Sequence, residues 1–212
     1  MAVRGVLVSF EGIDGSGKST QARALAEALR AEGHDIVLTR EPGGAEGAEE
    51  IRRLLVEGDP DRWSPETEIL LFNAARRDHL EKTIRPALQA GRIVITDRFA
   101  DSTRVYQGAA RADLRPLVDD LHRLVIGLEP DVTFLIDMDP ADALARGLAR
   151  RSGEDRFEEL GIGFQECLRA GFLDLARANP HRVRVIDGAR EQSDVSADIA
   201  RQMQDWLQAR AA

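Results

Sequence analysis

Residues 5–20 read GVLVSFEGIDGSGKST: an apolar run, Val6 to Phe10, gives way to Gly12, four residues, and then Gly17, Lys18 and Ser19. The spacing G-x-x-x-x-G-K-[ST] is that of a phosphate-binding loop. Glycines at 12, 15 and 17 let the backbone turn so that successive N–H groups aim at one anion. Lys18 adds a point charge for the outer phosphates, Ser19 offers a hydroxyl to Mg²⁺, and the helix that opens here brings its positive end to the same place. The flanks agree: a strand-like run precedes, and Ala22, Leu25, Ala26 and Leu29 follow at helical spacing. A glycine-rich turn that merely contained Lys and Ser would lack that frame. The loop from Gly12 through Ile13, Asp14, Gly15, Ser16, Gly17, Lys18 and Ser19 to Thr20 is therefore expected to hold a nucleotide.

Composition bounds what surrounds the loop. With 212 residues, 43% of them hydrophobic, the chain can bury one substantial core and is most simply a single α/β domain spanning 1–212. A net charge of −8, from 29 basic and 37 acidic residues, argues against a non-specific nucleic-acid binder. Anionic ligands must then meet local arginines. The single Cys167 rules out an intramolecular disulfide and reads as a small packed side chain. No Cys/His cluster has zinc spacing, the N-terminal apolar run is too short for a signal peptide, and nothing approaches a membrane span, so a cytoplasmic location is expected.

Strands and helices alternate along the chain. Gly33 stands where a helix ends, Ile36 to Thr39 reads as a buried strand, and Arg40 lies at its carboxyl end, the edge that faces ligands in open α/β sheets. A helix covers 45–56; Ser64 and Pro65 cap and open a long one that Pro86 should kink or restart. Ile93 to Asp97 is a third strand, delivering Asp97 and Arg98 to the same edge. A short helix over 101–107, a helix over 114–126, a strand over 132–136, helices over 142–151 and from 157 towards 179, a strand over 183–186 and a last amphipathic helix complete the pattern. Near-continuous apolar strands alternating with helices specify a five-stranded parallel sheet covered on both faces.

That fold hosts many chemistries. A GTPase needs an N-K-x-D box, and the only asparagines are Asn73 and Asn179. Arginines arrive separately instead: Arg40 and Arg98 at strand ends, Arg76 on a helix, and Arg146, Arg150, Arg151 and Arg156 around a polar segment. Two groups of cations imply two anionic ligands, and the late group sits where a lid over roughly 147–157 would close on phosphates.

At this point the chain resembles thymidylate kinases, of the nucleoside-monophosphate kinase family, over essentially its whole length. The resemblance rests on FEGIDGSGKST, TREPGG from Thr39, LLFNAAR from Leu70, Asp97-Arg98 with Asp101-Ser102 and Tyr106-Gln107-Gly108, the Arg-rich segment ending Asp155-Arg156-Phe157-Glu158, and IDGA from Ile186. It implies ATP as phosphoryl donor with Mg²⁺ on Ser19 and Asp97, and dTMP as acceptor. Phe72 would stack on thymine, Arg76 would bond its O4, and Gln107 and Thr103 would lie near the base edge. Arg40 and Arg98 would hold the acceptor phosphate, Asp14 would accept from the sugar hydroxyl, and Tyr106 would pack beneath C2′. Lys18, Arg98, Asp97 and a lid arginine, either Arg150 or Arg151, would carry the transfer, with Arg146 against adenine. Position 15 is Gly and not Arg, the pattern in which the lid supplies the catalytic arginine. Phe99 departs from the Tyr or His usual after Asp-Arg. The family usually forms homodimers. Rival readings are a kinase for another monophosphate or for a deoxynucleoside, and a P-loop ATPase or switch without an acceptor.

Overall fold

The computed structural model describes residues 4–58, 62–108, 114–148 and 161–211. Five parallel strands form one sheet: β1 (Val6–Glu11), β2 (Ile36–Arg40), β3 (Ile93–Asp97), β4 (Val132–Asp137) and β5 (Val183–Asp187), in the order β2-β3-β1-β4-β5. All six residues of β1 are buried, which is why the central strand reads as unbroken apolar sequence. Alternation along it divides the core. Val6, Val8 and Phe10 face α1 (Lys18–Ala31) and α9 (Gln192–Ala211), meeting Leu25, Leu29, Ile199 and Met203. Leu7 faces the other way, against Leu80, Ile84, Leu88 and Ile126. Each such fully buried side chain contributes roughly 1.5–3 kcal/mol.

The order of the strands places the site. The chain leaves β1 for β2 and β3 on one side and for β4 and β5 on the other, so a crevice opens beyond the carboxyl end of β1. Register aligns the contributors there, with Phe10 opposite Asp97 and Asp97 opposite Arg40.

Two helices differ from expectation. After α2 (Glu46–Val56), Ser64 caps α3 (Pro65–His79) by accepting from the Thr67 N–H at 3.2 Å, with Pro65 in its first turn. That helix restarts at Pro86 as expected, but by a route the sequence did not signal. It passes through a π turn, Leu80–Ile84, closed by the Arg85 N–H on the Leu80 carbonyl, and resumes as α4 (Arg85–Gln89). The wider turn lies just before the proline, which has no N–H to give. Likewise the helix expected over 114–126 is α6 (Arg115–Leu121) followed by a π turn, His122–Ile126, that Gly127 ends.

Between β3 and α6 lies α5 (Ala100–Tyr106), and α7 (Pro140–Leu148) and α8 (Gly161–Ala178) connect β4 to β5. Cys167 is a correction: it is exposed, because Phe164, Leu168 and Phe172 take the inward side of α8 and leave Cys167 on the outer one. No helix among the described residues is long and apolar enough to cross a membrane.

Candidate active site

The phosphate loop forms as its glycines require, with φ of 138°, 83° and 98° at Gly12, Gly15 and Gly17. Gly15 is constrained twice over, since a Cβ there would stand 1.8 Å from the Ala143 carbonyl oxygen of α7. Lys18 is buried; its Nζ donates to the Ile13 carbonyl at 2.8 Å and lies 3.9 Å from Asp14. Burial first, and Arg98 second, lower its pKa to about 8, which leaves it mainly protonated at neutral pH. Ser19 Oγ donates to Asp97 Oδ2, while Asp97 Oδ1 is buried without a hydrogen-bond partner. A hydroxyl beside a carboxylate with an unused oxygen is a hard donor set suited to Mg²⁺, which takes few protein ligands and completes its shell with water and phosphate oxygens. No group of three or more His, Cys, Asp or Glu among the described residues could hold a metal by itself.

Arg98 occupies the junction of the two sides. Its φ is +70°, rare for a residue with a side chain, and the backbone is braced: its N–H donates to the Phe10 carbonyl at 2.9 Å and its own carbonyl accepts from Thr96 Oγ1 at 2.9 Å. Nη1 donates to Ser102 Oγ at 2.8 Å and Gly12 O at 3.4 Å; Nη2 donates to Asp14 and to the Tyr106 hydroxyl at 3.0 Å. Burial would raise the Asp14 pKa, but Arg98 and Lys18 outweigh it and hold the carboxylate at about 2. Tyr106 donates its hydroxyl proton to Asp14 at 2.8 Å, and its ring packs edge-on to Phe164 and Phe172. Arg40 is exposed and pairs with Glu49 at 3.2 Å. An exposed pair of that kind contributes about 0–1 kcal/mol, so an incoming anion can replace Glu49 at little cost.

Beside the main cavity of about 700 Å³ lies a smaller one of about 120 Å³, lined by Phe72, Arg76, Thr103, Tyr106 and Gln107. The two share Asp14, Glu41, Arg52 and Arg98. Arg76 is buried over the Phe99 ring; Nε donates to Glu41 at 2.6 Å, and Nη2 to Phe99 O at 3.2 Å and Thr103 Oγ1 at 2.9 Å. These bonds use Nε and Nη2 of the guanidinium, and Gln107 Nε2 is buried and unbonded. The cavity thus offers an aromatic face, Phe72, the Arg76 guanidinium and one spare donor, Gln107 Nε2. Phe99, which lacks a polar side-chain atom, serves through its backbone instead.

Glu41 also meets His79 Nδ1 at 3.1 Å, and His79 Nε2 meets Thr39 Oγ1 at 2.8 Å. Burial opposes ionisation of Glu41, yet Arg76 and His79 together hold its pKa below the usual carboxylate range. Glu41→Ala should therefore leave Arg76 buried and uncompensated, a loss of about 3–5 kcal/mol visible as a lower urea midpoint.

On the far side of the phosphate loop, Arg146, Thr20, Gln21, Gly188 and Arg190 border a third cavity of about 490 Å³, and Arg146 Nη1 donates to the Gly188 carbonyl at 3.4 Å. Gly15 and Gly17 border both this cavity and the main one. Arg150, Arg151 and Arg156, expected from the sequence to belong to a lid, lie outside the described residues. Sequence reasoning assigned nothing to Arg52, which borders both the main cavity and the smaller one beside it with Nη1 on the Pro42 carbonyl at 2.5 Å, or to Glu11, Glu41, Ser102 and His79. Glu11 and Glu41 stood within the motifs FEG and TREPGG, but their partners lie far along the chain.

Comparison with known proteins is consistent across this geometry. The family profile described as thymidylate kinase matches residues 10–199. The chain is 74% identical over 199 residues to the thymidylate kinase of Dinoroseobacter shibae, covering 94% of this chain and 96% of that one. It is 67% identical to that of Ruegeria pomeroyi, covering 94% of each. The crystal structure of thymidylate kinase from Ehrlichia chaffeensis superposes with a TM-score of 0.76 at 38% identity, covering 94% of this chain and 99% of that one. Its motifs, its sheet order and these matches along nearly its full length agree: the chain belongs to the thymidylate kinase family.

Proposed function

We propose that the whole chain acts as one kinase domain that transfers the γ-phosphoryl group of ATP to dTMP, giving ADP and dTDP. The observation that carries this reading is the small cavity with Phe72 as its aromatic face, the Arg76 guanidinium and the unused donor Gln107 Nε2 on its lining, joined through Arg98 to the phosphate loop. Stacking tolerates any base, so these donors would choose thymine, and Thr103 contributes by fixing Arg76. Tyr106 presents its ring to the sugar, and Asp14, already ionised, retains lone pairs for a sugar hydroxyl.

The acceptor phosphate has a second pKa of about 6 and is largely anionic at neutral pH, so no general base is needed. The protein's work is alignment and charge neutralisation in a loose transition state. Arg98 and Arg40 hold the acceptor, Lys18 meets the β- and γ-phosphates, and Arg146 borders the adenine. Mg²⁺, held by Ser19 and Asp97, would neutralise charge building on the phosphate oxygens. A cytoplasmic location and a homodimer belong to the same reading. Leu54, Leu70, Leu117 and Leu124, all exposed on α2, α3 and the α6 region, support the dimer, which sedimentation would test.

ADP release measured with each common nucleoside monophosphate, and with thymidine, tests the assignment. dTMP should be preferred. A preference for thymidine would favour a nucleoside kinase, and ATP hydrolysis indifferent to any acceptor would favour an ATPase or switch.

A further inference from the structure

We infer that Glu11 is a positioning residue of the acceptor grip: its buried carboxylate sets both the backbone and the side chain of Arg98. The inference rests on the proposed reaction only in taking Arg98 to hold the acceptor.

Glu11 is the last residue of β1, and alternation turns it to the side of Leu7 and Ser9, away from α1. It is 1% exposed and forms no ion pair among the described residues. A buried carboxylate without a direct cation is costly, and nothing in the packing calls for a charge there. Its acceptors are instead spent on one target. Oε1 accepts from the Phe99 N–H at 2.8 Å and the Ser102 N–H at 3.3 Å; Oε2 accepts from Ser102 Oγ at 2.6 Å.

These bonds hold Arg98 by two routes. The Phe99 N–H is the first donor after Arg98, so tying it down helps fix the +70° φ that aims the side chain. The second route runs through the hydroxyl of Ser102. It has one proton, and an ionised Glu11 can only accept; Ser102 must therefore donate to Glu11 and turn a lone pair to Arg98 Nη1. The relay is directional only while Glu11 carries the charge. Burial first, and then the nearby Asp101, push its pKa up from 4.5 to about 7, against the bonds from Ser102 and Phe99 and the charge of Arg98. A group poised in this way is typical of a functional site. The other charges facing it are Lys18 and Asp101, the latter paired with Arg182 at 2.6 Å and Arg104 at 2.8 Å.

Glu11→Gln keeps the shape and reverses the relay, because an NH₂ then faces Ser102. Its dTMP dissociation constant without ATP, and its KM for dTMP, should rise about tenfold while KM for ATP shifts less than about twofold. Ser102→Ala cuts only the second route and should give a smaller loss with the same selectivity; it decides the matter alone if Glu11→Gln does not fold. Stability gives an independent reading. Since the folded pKa is raised, this group favours folding in its protonated form, and that contribution is lost as pH climbs through about 7. The Tm of wild type minus that of Glu11→Gln should therefore fall from about pH 5 to about pH 8. Unchanged dTMP affinity in both variants, a loss shared equally by the two substrates, or a constant gap overturns the inference. Failure of the wild-type protein itself to phosphorylate dTMP, with dTMP binding still weakened in the variants, would instead count against the proposed reaction.

Discussion

Lys18→Ala should lower kcat by about three orders of magnitude while KM for dTMP changes by less than about threefold. Lys18 is buried at the start of α1 with its Nζ fixed by the Ile13 carbonyl, so the protein itself holds the cation in place. A cation held in place, largely out of water, meets the charge that develops on the transferred group without reorganisation, which is where electrostatic catalysis has its largest effect. The pKa lowered to about 8 shows the environment penalising a bare ammonium; a triphosphate beside it would reverse that penalty. The base-binding end of the acceptor pocket is untouched, because Phe72, Arg76 and Gln107 line a different cavity. Steady-state kinetics with each substrate varied in turn would show the split, and an unchanged kcat would remove the loop from the chemistry.

Arg98→Ala should be comparably severe but fall on the other substrate: kcat/KM for dTMP down by about a thousandfold, with KM for ATP changed by about threefold or less. One guanidinium bonds Ser102, Gly12, Asp14 and Tyr106 and lies 4.9 Å over the tyrosine ring, so it organises the sugar and phosphate subsites together. Arg98→Lys should recover little of the loss. An ammonium keeps the charge but has no planar fork to reach both Ser102 and Asp14. Asp14 loses its nearest cation in the alanine variant, so activities need referring to the folded fraction measured by circular dichroism. Equal loss in KM for both nucleotides would contradict a grip confined to the acceptor.

The phosphate loop and the strands were legible in the sequence for one reason: their signals are local. Buried parallel strands show as apolar runs, and the loop's chemistry depends on glycines and a lysine a few residues apart. The π turns at Leu80–Ile84 and His122–Ile126 were not legible, since bonding five rather than four residues back shifts the register by one and leaves the apolar pattern almost unaltered. Cys167 was misplaced by weighing its type above its phase; the stripe of Phe164, Leu168 and Phe172 would have put it outside. The carboxylates behind the arginines were hidden for a different reason. Glu41 meets Arg76 across 35 residues and Glu11 meets Ser102 across 91, and such pairings exist only once the sheet has assembled.

Gly15 constrains the engineering of this chain. With φ at +83° and the Ala143 carbonyl 1.8 Å from where a Cβ would sit, an arginine at position 15 would require α7 to move. Position 15 is thus reserved for glycine by a backbone contact with α7, whatever charge the loop would otherwise take.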